Sequence, residues 1–192
     1  MMDLFALFIS AMLINNIVLT KFLGMCPFMG VSTKVENAVG MGLAVVFVIF
    51  GASVLSWALY HFVLVPLGLE YMQLITFILL IAAFVQFVEL FLKKQAPALY
   101  KQLGIYLPLI TTNCTVLYVA QENITKNYDI IKTMVNSIAT PLGFMLMLVI
   151  FATVRERLNE SDLPAPFKGN PIAFVVAGIM AIAFSSLAGL VG

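Results

Sequence analysis

Two cysteines, Cys26 and Cys114, are the residues of this 192-residue chain best suited to bind a metal or to react as thiols. Each lies inside an apolar stretch beside residues that disturb a helix, in "LGMCPF" at 23–28 and in "TTNCTV" at 111–116. A thiolate is both a nucleophile and a metal ligand. A cysteine inside a membrane helix is also commonly a small buried hydrophobe, so the two interpretations stay open at this point.

The other residue types limit the metal chemistry that these cysteines can support. A structural zinc site takes four N, S or O ligands, and the single histidine, His61, is predicted to lie at the outer end of the second span, at the membrane interface. A disulfide is disfavoured because the predicted site faces the cytoplasmic half or the bilayer interior, where thiols stay reduced. A [2Fe–2S] cluster takes four cysteines, so a second chain would have to bring the other two.

The composition identifies the solvent in which the chain folds. Hydrophobic residues make up 62% of the sequence and charged residues 10%, and the mean hydropathy is +1.08. Soluble domains carry about 25% charged residues, so we predict an integral membrane protein. The length allows about six spans of roughly 20 residues and leaves no soluble domain of ordinary size. A net charge of +1 without a basic run gives no support for nucleic-acid binding.

Apolar runs of spanning length occur six times, which predicts an all-α polytopic membrane protein. The first run has no basic segment before it and no small-residue cleavage site, so it is interpreted as a retained helix. Short loops rich in Pro, Gly, Asn and charge separate the runs. The predicted spans are Leu4–Leu23, Val39–Tyr60, Tyr71–Leu92, Gly104–Ala120, Met134–Val154 and Pro171–Val191.

The distribution of Lys and Arg predicts that both termini face outward, because basic residues are retained on the cytoplasmic side during insertion. With this orientation, eight basic residues lie at cytoplasmic ends and two, Lys126 and Lys132, lie in outer loops. The Arg155–Glu156–Arg157 end of the fifth span is interpreted as a topology anchor. The eight cytoplasmic residues are Lys21, Lys34, Lys93, Lys94, Lys101, Arg155, Arg157 and Lys168.

Six spans divide a single membrane domain into two three-helix halves, residues 1–95 and 96–192. An odd number of spans in each half inserts the second half upside down relative to the first. At an offset of 88 residues, "LTKFLGMCPFMGV" (19–31) lies over "LPLITTNCTVLYV" (107–119), which aligns Cys26 with Cys114. The sequence therefore predicts two inverted repeats whose first helices bring the cysteines together near the middle of the protein.

The first helix of the protein is predicted to be broken close to its cysteine. The first apolar stretch continues past Gly24 and Pro27 to about Val31, which is too long for one straight helix, so a break or re-entrant turn is expected there. Glycine allows a close backbone approach, and proline lacks the N–H that a helix needs. Polar side chains at the same level make the region polar enough to hold a ligand, namely Asn15, Asn16, Thr111, Thr112 and Asn113.

Three long motifs resemble one family of bacterial membrane proteins. "NNIVLTKFLGMCPFMGVS", "YLPLITTNCTVLYVA" and "RERLNESDLPAPFKGNPIAF" resemble the A subunits of Rnf complexes, the membrane-bound ferredoxin:NAD⁺ oxidoreductases, and the resemblance covers essentially the whole chain. The E subunits of the sodium-pumping NADH:quinone oxidoreductases are similar. The resemblance implies a six-helix inverted-repeat subunit of the bacterial inner membrane. It also implies partners, which are a homologous subunit of opposite orientation and further flavin-carrying and iron–sulfur subunits.

The resemblance implies a [2Fe–2S] cluster held inside the membrane, with two cysteine ligands from each of the paired subunits. Carried over to this sequence, the ligands are Cys26 and Cys114. Electrons from reduced ferredoxin would cross the membrane through this cluster toward NAD⁺, coupled to translocation of Na⁺ or H⁺, and the isolated chain would have no turnover of its own. The residues that flank the cysteines either form a second layer around the cluster or simply pack the helices together, and both roles stay open. These residues are Gly24, Pro27, Asn113 and Thr115.

Two other functions fit the composition and the predicted topology equally well. A small transporter or channel protein would also have inverted repeats, broken helices and midplane Asn and Thr residues. A purely structural subunit would position its partners. The cysteines distinguish these functions from an electron relay, because only the relay requires both thiols.

Overall fold

Helices form nearly all of the structure. The computed structural model describes residues 2–95, 109–110, 113–160 and 169–188, and within these ranges it contains no β-strand. The predicted all-α class is therefore confirmed for this part of the chain. The α-helices discussed below are α1 (Met2–Ile9), α2 (Ile17–Lys21), α3 (Met25–Val31), α4 (Val35–Leu59), α5 (Gln73–Gln95), α6 (Cys114–Thr125), α7 (Ile130–Asn159) and α8 (Asn170–Ala188).

Short segments of other helical types extend three of these helices. A π-helical segment, Ser10–Ile14, follows α1, and another, Tyr60–Leu64, continues α4 into the turn Val65–Leu67. A 3₁₀ turn, Glu70–Met72, leads into α5. Because these segments continue the helical backbone, α4 and its extension form one apolar helix of 33 residues.

Three helices in the described part of the chain are long and apolar enough to cross a membrane, Val35–Leu67, Glu70–Phe91 and Ile130–Asn159. They correspond to the predicted second, third and fifth spans. Two shorter apolar helices, Leu4–Ile14 and Asn170–Phe184, correspond to the first and the sixth. Part of the predicted fourth span and the last residues of the sixth lie outside the described residues, so the count of six stays a prediction.

Helices α4 and α7 run antiparallel through the centre of the protein. Near the end of α4, Nε1 of Trp57 donates to the carbonyl of Tyr128, just before α7, at 3.2 Å. Just before α4, Oγ of Ser32 accepts from Arg155, near the end of α7, at 2.9 Å. At about 1.5 Å per residue, the 30 residues of α7 reach about 45 Å, more than the hydrocarbon core of a bilayer. Fully buried side chains join the two helices, among them Met41, Val45, Ile49, Phe144, Met147 and Phe151.

The first predicted span is not one continuous helix, contrary to the prediction for Leu4–Leu23. Its first half ends at Asn15, and Asn16 begins α2 by accepting the N–H of Val18 on its side-chain oxygen at 3.2 Å. Nδ2 of Asn16 also donates to the carbonyl of Gly143, near the middle of α7, at 2.9 Å. Because asparagine side chains compete with the helix backbone for hydrogen bonds, these two hydrogen bonds of Asn16 break the helix at mid-depth.

The predicted break near Gly24 is confirmed, but Pro27 does not cause it. Phe22 (φ 54°) and Gly24 (φ 76°) adopt left-handed conformations between α2 and α3. Pro27 is the third residue of α3, a position whose N–H would have no helical partner, so proline loses no hydrogen bond there. The N–H of Phe28 reaches the carbonyl of Gly24 at 3.2 Å. Pro27 therefore belongs to the start of a new helix and does not interrupt an existing one.

Helices α3 and α6 begin side by side and end at opposite ends of α7. Gly24, at the start of α3, contacts both Phe144 in the middle of α7 and Asn113 at the start of α6. The end of α3 lies beside the last turns of α7, and the end of α6 lies beside its first turns, where Nδ2 of Asn136 donates to Oδ1 of Asn123 at 2.8 Å. The two cysteine-bearing helices thus start at mid-depth and diverge.

Lys21 is not at the end of the protein that the basic-residue count assumes. It lines a cavity together with Glu122 and Lys126 at the far end of α6, whereas the count assigns Lys21 and Lys126 to opposite sides. The assumption is wrong because α2 starts at mid-depth, at Asn16, and its five residues extend only about 7.5 Å. Moving Lys21 to the outer group leaves seven basic residues against three, so the predicted orientation does not change.

Candidate metal centre

Cys26 lies in the first turn of α3, on a segment that begins at Gly24. The left-handed conformation of Gly24 costs other residues about 1–2 kcal/mol and costs glycine almost nothing. Pro27 and Phe28 are buried, and the ring of Phe28 stacks on that of Phe151 with the centroids 4.4 Å apart. Cys26 itself is exposed. Buried neighbours therefore fix this turn and leave its thiol at the surface.

Cys114 is the first residue of α6 and is also exposed. Asn113 caps the helix, since its Oδ1 accepts the N–H of Thr115 at 3.0 Å. The side chains of Asn113 and Thr115 are buried, with exposures of 4% and 0%. The two cysteines occupy similar but not identical positions, because Cys26 is the second residue of its helix and Cys114 the first.

The start of α3 and the start of α6 are in direct contact. A Cβ added to Gly24 would lie 2.6 Å from Oγ1 of Thr115, 3.2 Å from Oδ1 of Asn113 and 2.9 Å from Cε2 of Phe144. The backbone of Gly24 therefore touches the residues on both sides of Cys114. Elements that are far apart in the chain thus bring Gly24 beside Asn113 and Thr115, and the cysteines of both segments are exposed.

Two buried polar atoms beside Cys114 have no hydrogen-bond partner in the described part of the chain. They are Nδ2 of Asn113 and Oγ1 of Thr115. Buried polar groups are almost always hydrogen-bonded, so each such group calls for a partner. Thiolate and sulfide sulfur accept hydrogen bonds, and such bonds shift the reduction potential of iron–sulfur clusters. The donors next to Cys114 therefore fit a sulfur-rich group at this position.

The cysteine pair is an incomplete ligand set. No group of three or more His, Cys, Asp or Glu residues that could hold a metal ion occurs among the residues that the structure describes. The two exposed thiols would supply half of the four ligands that a [2Fe–2S] cluster takes. A cluster held by Cys26 and Cys114 therefore requires ligands from a second molecule.

The whole chain matches one family of membrane proteins. The family model described as "Rnf-Nqr subunit, membrane protein" matches residues 4–191. The chain belongs to the Rnf-Nqr family. It is 52% identical over 191 residues to the A subunits of the ion-translocating oxidoreductase complexes of Edwardsiella ictaluri, Yersinia enterocolitica and Photorhabdus laumondii, and each match covers 100% of this chain and 99% of the relative. The resemblance seen in the motifs is thereby confirmed.

In this Rnf-Nqr protein, Arg155 binds the end of α3, the helix that carries Cys26. Its position in the sequence did not indicate this role. The interpretation of Arg155 as a topology anchor stays a prediction, and the structure adds that its side chain is only 7% exposed. Its Nη1 donates to the carbonyl of Met29 at 2.7 Å and to Oγ of Ser32 at 2.9 Å, and its Nη2 donates to Oδ1 of Asn170 at 3.3 Å. The sequence does not distinguish Arg155 from Arg157, since two of these acceptors are more than 120 residues away.

The close approach at Gly24 predicts that Gly24→Ala destabilises this Rnf-Nqr protein more than Gly68→Ala does. Gly68 also has a positive φ of 65°, but nothing lies within 4 Å of an added Cβ, so the change adds only about 1–2 kcal/mol of backbone strain. At Gly24 the Cβ also pushes α3 away from Thr115, which adds about 1–3 kcal/mol. Thermal unfolding of both variants in detergent measures the difference, and equal destabilisation would contradict the contact.

Proposed function

We propose that this chain is the membrane electron-relay subunit of an ion-pumping ferredoxin:NAD⁺ oxidoreductase complex of the Rnf type. Its relatives are named as the A subunits of ion-translocating oxidoreductase complexes. The observation that carries the proposal is the contact between Gly24 and the residues flanking Cys114, which joins the segments of two exposed cysteines. Cys26 and Cys114 then supply two ligands of a [2Fe–2S] cluster, and a homologous membrane subunit of opposite orientation supplies the other two.

The residues of this chain would hold the cluster and shift its reduction potential. When bound, a [2Fe–2S] cluster supplies a one-electron site within the low-dielectric interior of the membrane. The thiolates of Cys26 and Cys114 would bind iron, and the buried Phe28 and Asn113 keep their two turns in place. Nδ2 of Asn113 and Oγ1 of Thr115 would donate hydrogen bonds to sulfur, which would favour the reduced state because such bonds stabilise added negative charge.

The proposal includes two inverted three-helix repeats, residues 1–95 and 96–192, with both termini on the outer side. Helices α3 and α6 begin together at Phe144 and end beside opposite ends of α7, as segments related by an axis in the membrane plane would. The long helices that follow them, α4 and α7, run antiparallel. Seven basic residues against three favour the orientation.

In this role the chain passes electrons between the two faces of a bacterial inner membrane. Iron–sulfur subunits on the cytoplasmic side bring electrons from ferredoxin, and flavin-carrying subunits accept them on the outer side before they reach NAD⁺. The free energy released drives Na⁺ or H⁺ translocation by the complex. The chain contributes position and ligands, and turnover belongs to the assembled complex.

Metal analysis of the chain, prepared anaerobically with and without its homologous membrane partner, tests this function. The co-purified pair should contain about two iron and two labile sulfide atoms per pair and give a [2Fe–2S] EPR signal after dithionite reduction. The chain alone should contain far less of both, because it has only two cysteines. An assembled pair without iron would reject the relay and leave a transporter-like function as the better account.

A further inference from the structure

A polar cavity of about 360 Å³ lies among α1, α2, α6 and α7, and neither cysteine lines it. Hydroxyl, amide and charged groups face this cavity from four elements, which is unusual for a surface inside a membrane protein. A cavity of this size is large enough for a small ligand or a lipid headgroup. The lining residues that matter for its chemistry are Lys21, Lys126, Glu122, Tyr118, Asn136 and Thr140.

The charges that line the cavity do not balance. Nζ of Lys126 forms an ion pair with Oε1 of Glu122 at 2.8 Å and lies 5.7 Å from the ring centre of Tyr128. Burial lowers the pKa of the Lys126 ammonium, whereas the hydrogen bond and the charge of Glu122 raise it, and the net effect is a raised pKa. The ammonium group of Lys21 makes no ion pair and no side-chain hydrogen bond within the described ranges. Among the lining residues that the structure describes, two lysines thus face one carboxylate, an excess of one positive charge.

Lys21 lies one short helix away from the middle of the protein. It follows Asn16 by five residues, and the side chain of Asn16 binds the carbonyl of Gly143 near the middle of α7, so Lys21 lies about 7.5 Å along α2 from that level. Its side chain is exposed. Asn136 and Thr140, which also line the cavity, are buried, neutral and bonded to each other at 3.3 Å. Glu122 is therefore the one carboxylate among the lining residues that the structure describes, and it is paired with Lys126.

We propose that this cavity binds a phosphate oxyanion, carried by an anionic phospholipid headgroup or by soluble phosphate. Lysine ammonium groups and tyrosine hydroxyls donate hydrogen bonds to phosphate oxygens, and an excess positive charge selects an anion. The proposal is independent of the relay function, since it uses no cysteine.

Native mass spectrometry of the full-length chain in detergent tests the site with three probes, phosphatidylglycerol, zwitterionic phosphatidylcholine and inorganic phosphate. Wild type is expected to retain phosphatidylglycerol in preference to phosphatidylcholine. Lys21→Gln should weaken this retention about tenfold, because it removes the unpaired charge. Lys132→Gln is the matched control. Lys132 is an exposed lysine in the first turn of α7, the end of that helix nearest the cavity, and it does not line the cavity. This variant should bind as wild type does.

Glu122→Gln tests the same charge balance in the opposite direction. Removing this carboxylate adds net positive charge to the cavity, so retention of phosphatidylglycerol should rise severalfold. Competition by millimolar phosphate would identify soluble phosphate as the ligand, and lack of competition would identify the headgroup. Equal retention by wild type, Lys21→Gln and Glu122→Gln would overturn the proposal. If Lys21→Gln does not fold, a rise with Glu122→Gln supports the site and an unchanged retention overturns it.

Discussion

Cys26→Ser and Cys114→Ser are each expected to abolish the [2Fe–2S] EPR signal of the co-purified membrane pair and to stop electron transfer through it. Each variant removes one of the two thiolates that this chain can offer, and soft thiolate ligands are what iron–sulfur clusters select. Both thiols are exposed, so serine at either position leaves no cavity and should not unfold the chain. Iron, labile sulfide and EPR intensity should fall at least tenfold in both variants.

Met25→Leu is the matched control for this experiment. Met25 precedes Cys26 in the first turn of α3, and exchange of Met for Leu conserves volume and costs less than about 1.5 kcal/mol. This variant should keep its iron and its EPR signal. Full iron content in Cys114→Ser would show that Cys114 is not a ligand, and full iron content in both serine variants would remove the basis for the relay.

Arg155→Gln is expected to reduce the free energy of unfolding by about 3–5 kcal/mol, the largest loss of stability that the described contacts predict. The guanidinium group donates to the carbonyl of Met29, to Ser32 and to Asn170, and its loss leaves these acceptors without their donor in a buried region. Because Met29 and Ser32 end the segment that carries Cys26, the cluster content of the complex should fall as well. Thermal unfolding in detergent and iron analysis measure the two effects.

Arg157→Gln provides the control, because Arg157 lies two residues further along α7 and its side chain is exposed. The two substitutions remove the same charge from the same end of the same helix, so any effect on membrane orientation is shared. Arg157→Gln should change the unfolding free energy by less than about 0.5 kcal/mol. Equal destabilisation by the two substitutions would contradict the buried role of Arg155.

The first helix illustrates how far sequence reasoning reaches. A helix break at Gly24 was predictable, because an apolar stretch too long for one straight helix contains a glycine followed by a proline there. The φ of 76° at Gly24 confirms the break. The break at Asn16 was not predicted, since it depends on a bond to the carbonyl of Gly143, 127 residues away. Pro27 was assigned the wrong effect, because its position relative to the start of α3 decides whether its missing N–H matters.

Charged residues were predicted less well than apolar ones. Lys21 and Arg155 both look like positive residues at the end of an apolar run, and the sequence places them at the cytoplasmic interface. In the structure Lys21 lines a cavity beside Glu122, at the opposite end of the protein from Arg155, and Arg155 is buried against α3 and α8. Hydropathy averages over a window and treats each segment separately, so it does not detect a polar partner that another segment supplies.

The sequence by itself determined the properties that depend on composition and local order. The apolar composition requires a membrane, the spacing of apolar runs requires helices, and the count of two cysteines limits this chain to half of a cluster ligand set. Only the tertiary structure decided that Gly24 touches the turn around Cys114 and that Arg155 holds the end of α3. Such contacts join residues about 90 and 126 positions apart, and their energies arise only when the helices pack, so no local pattern encodes them.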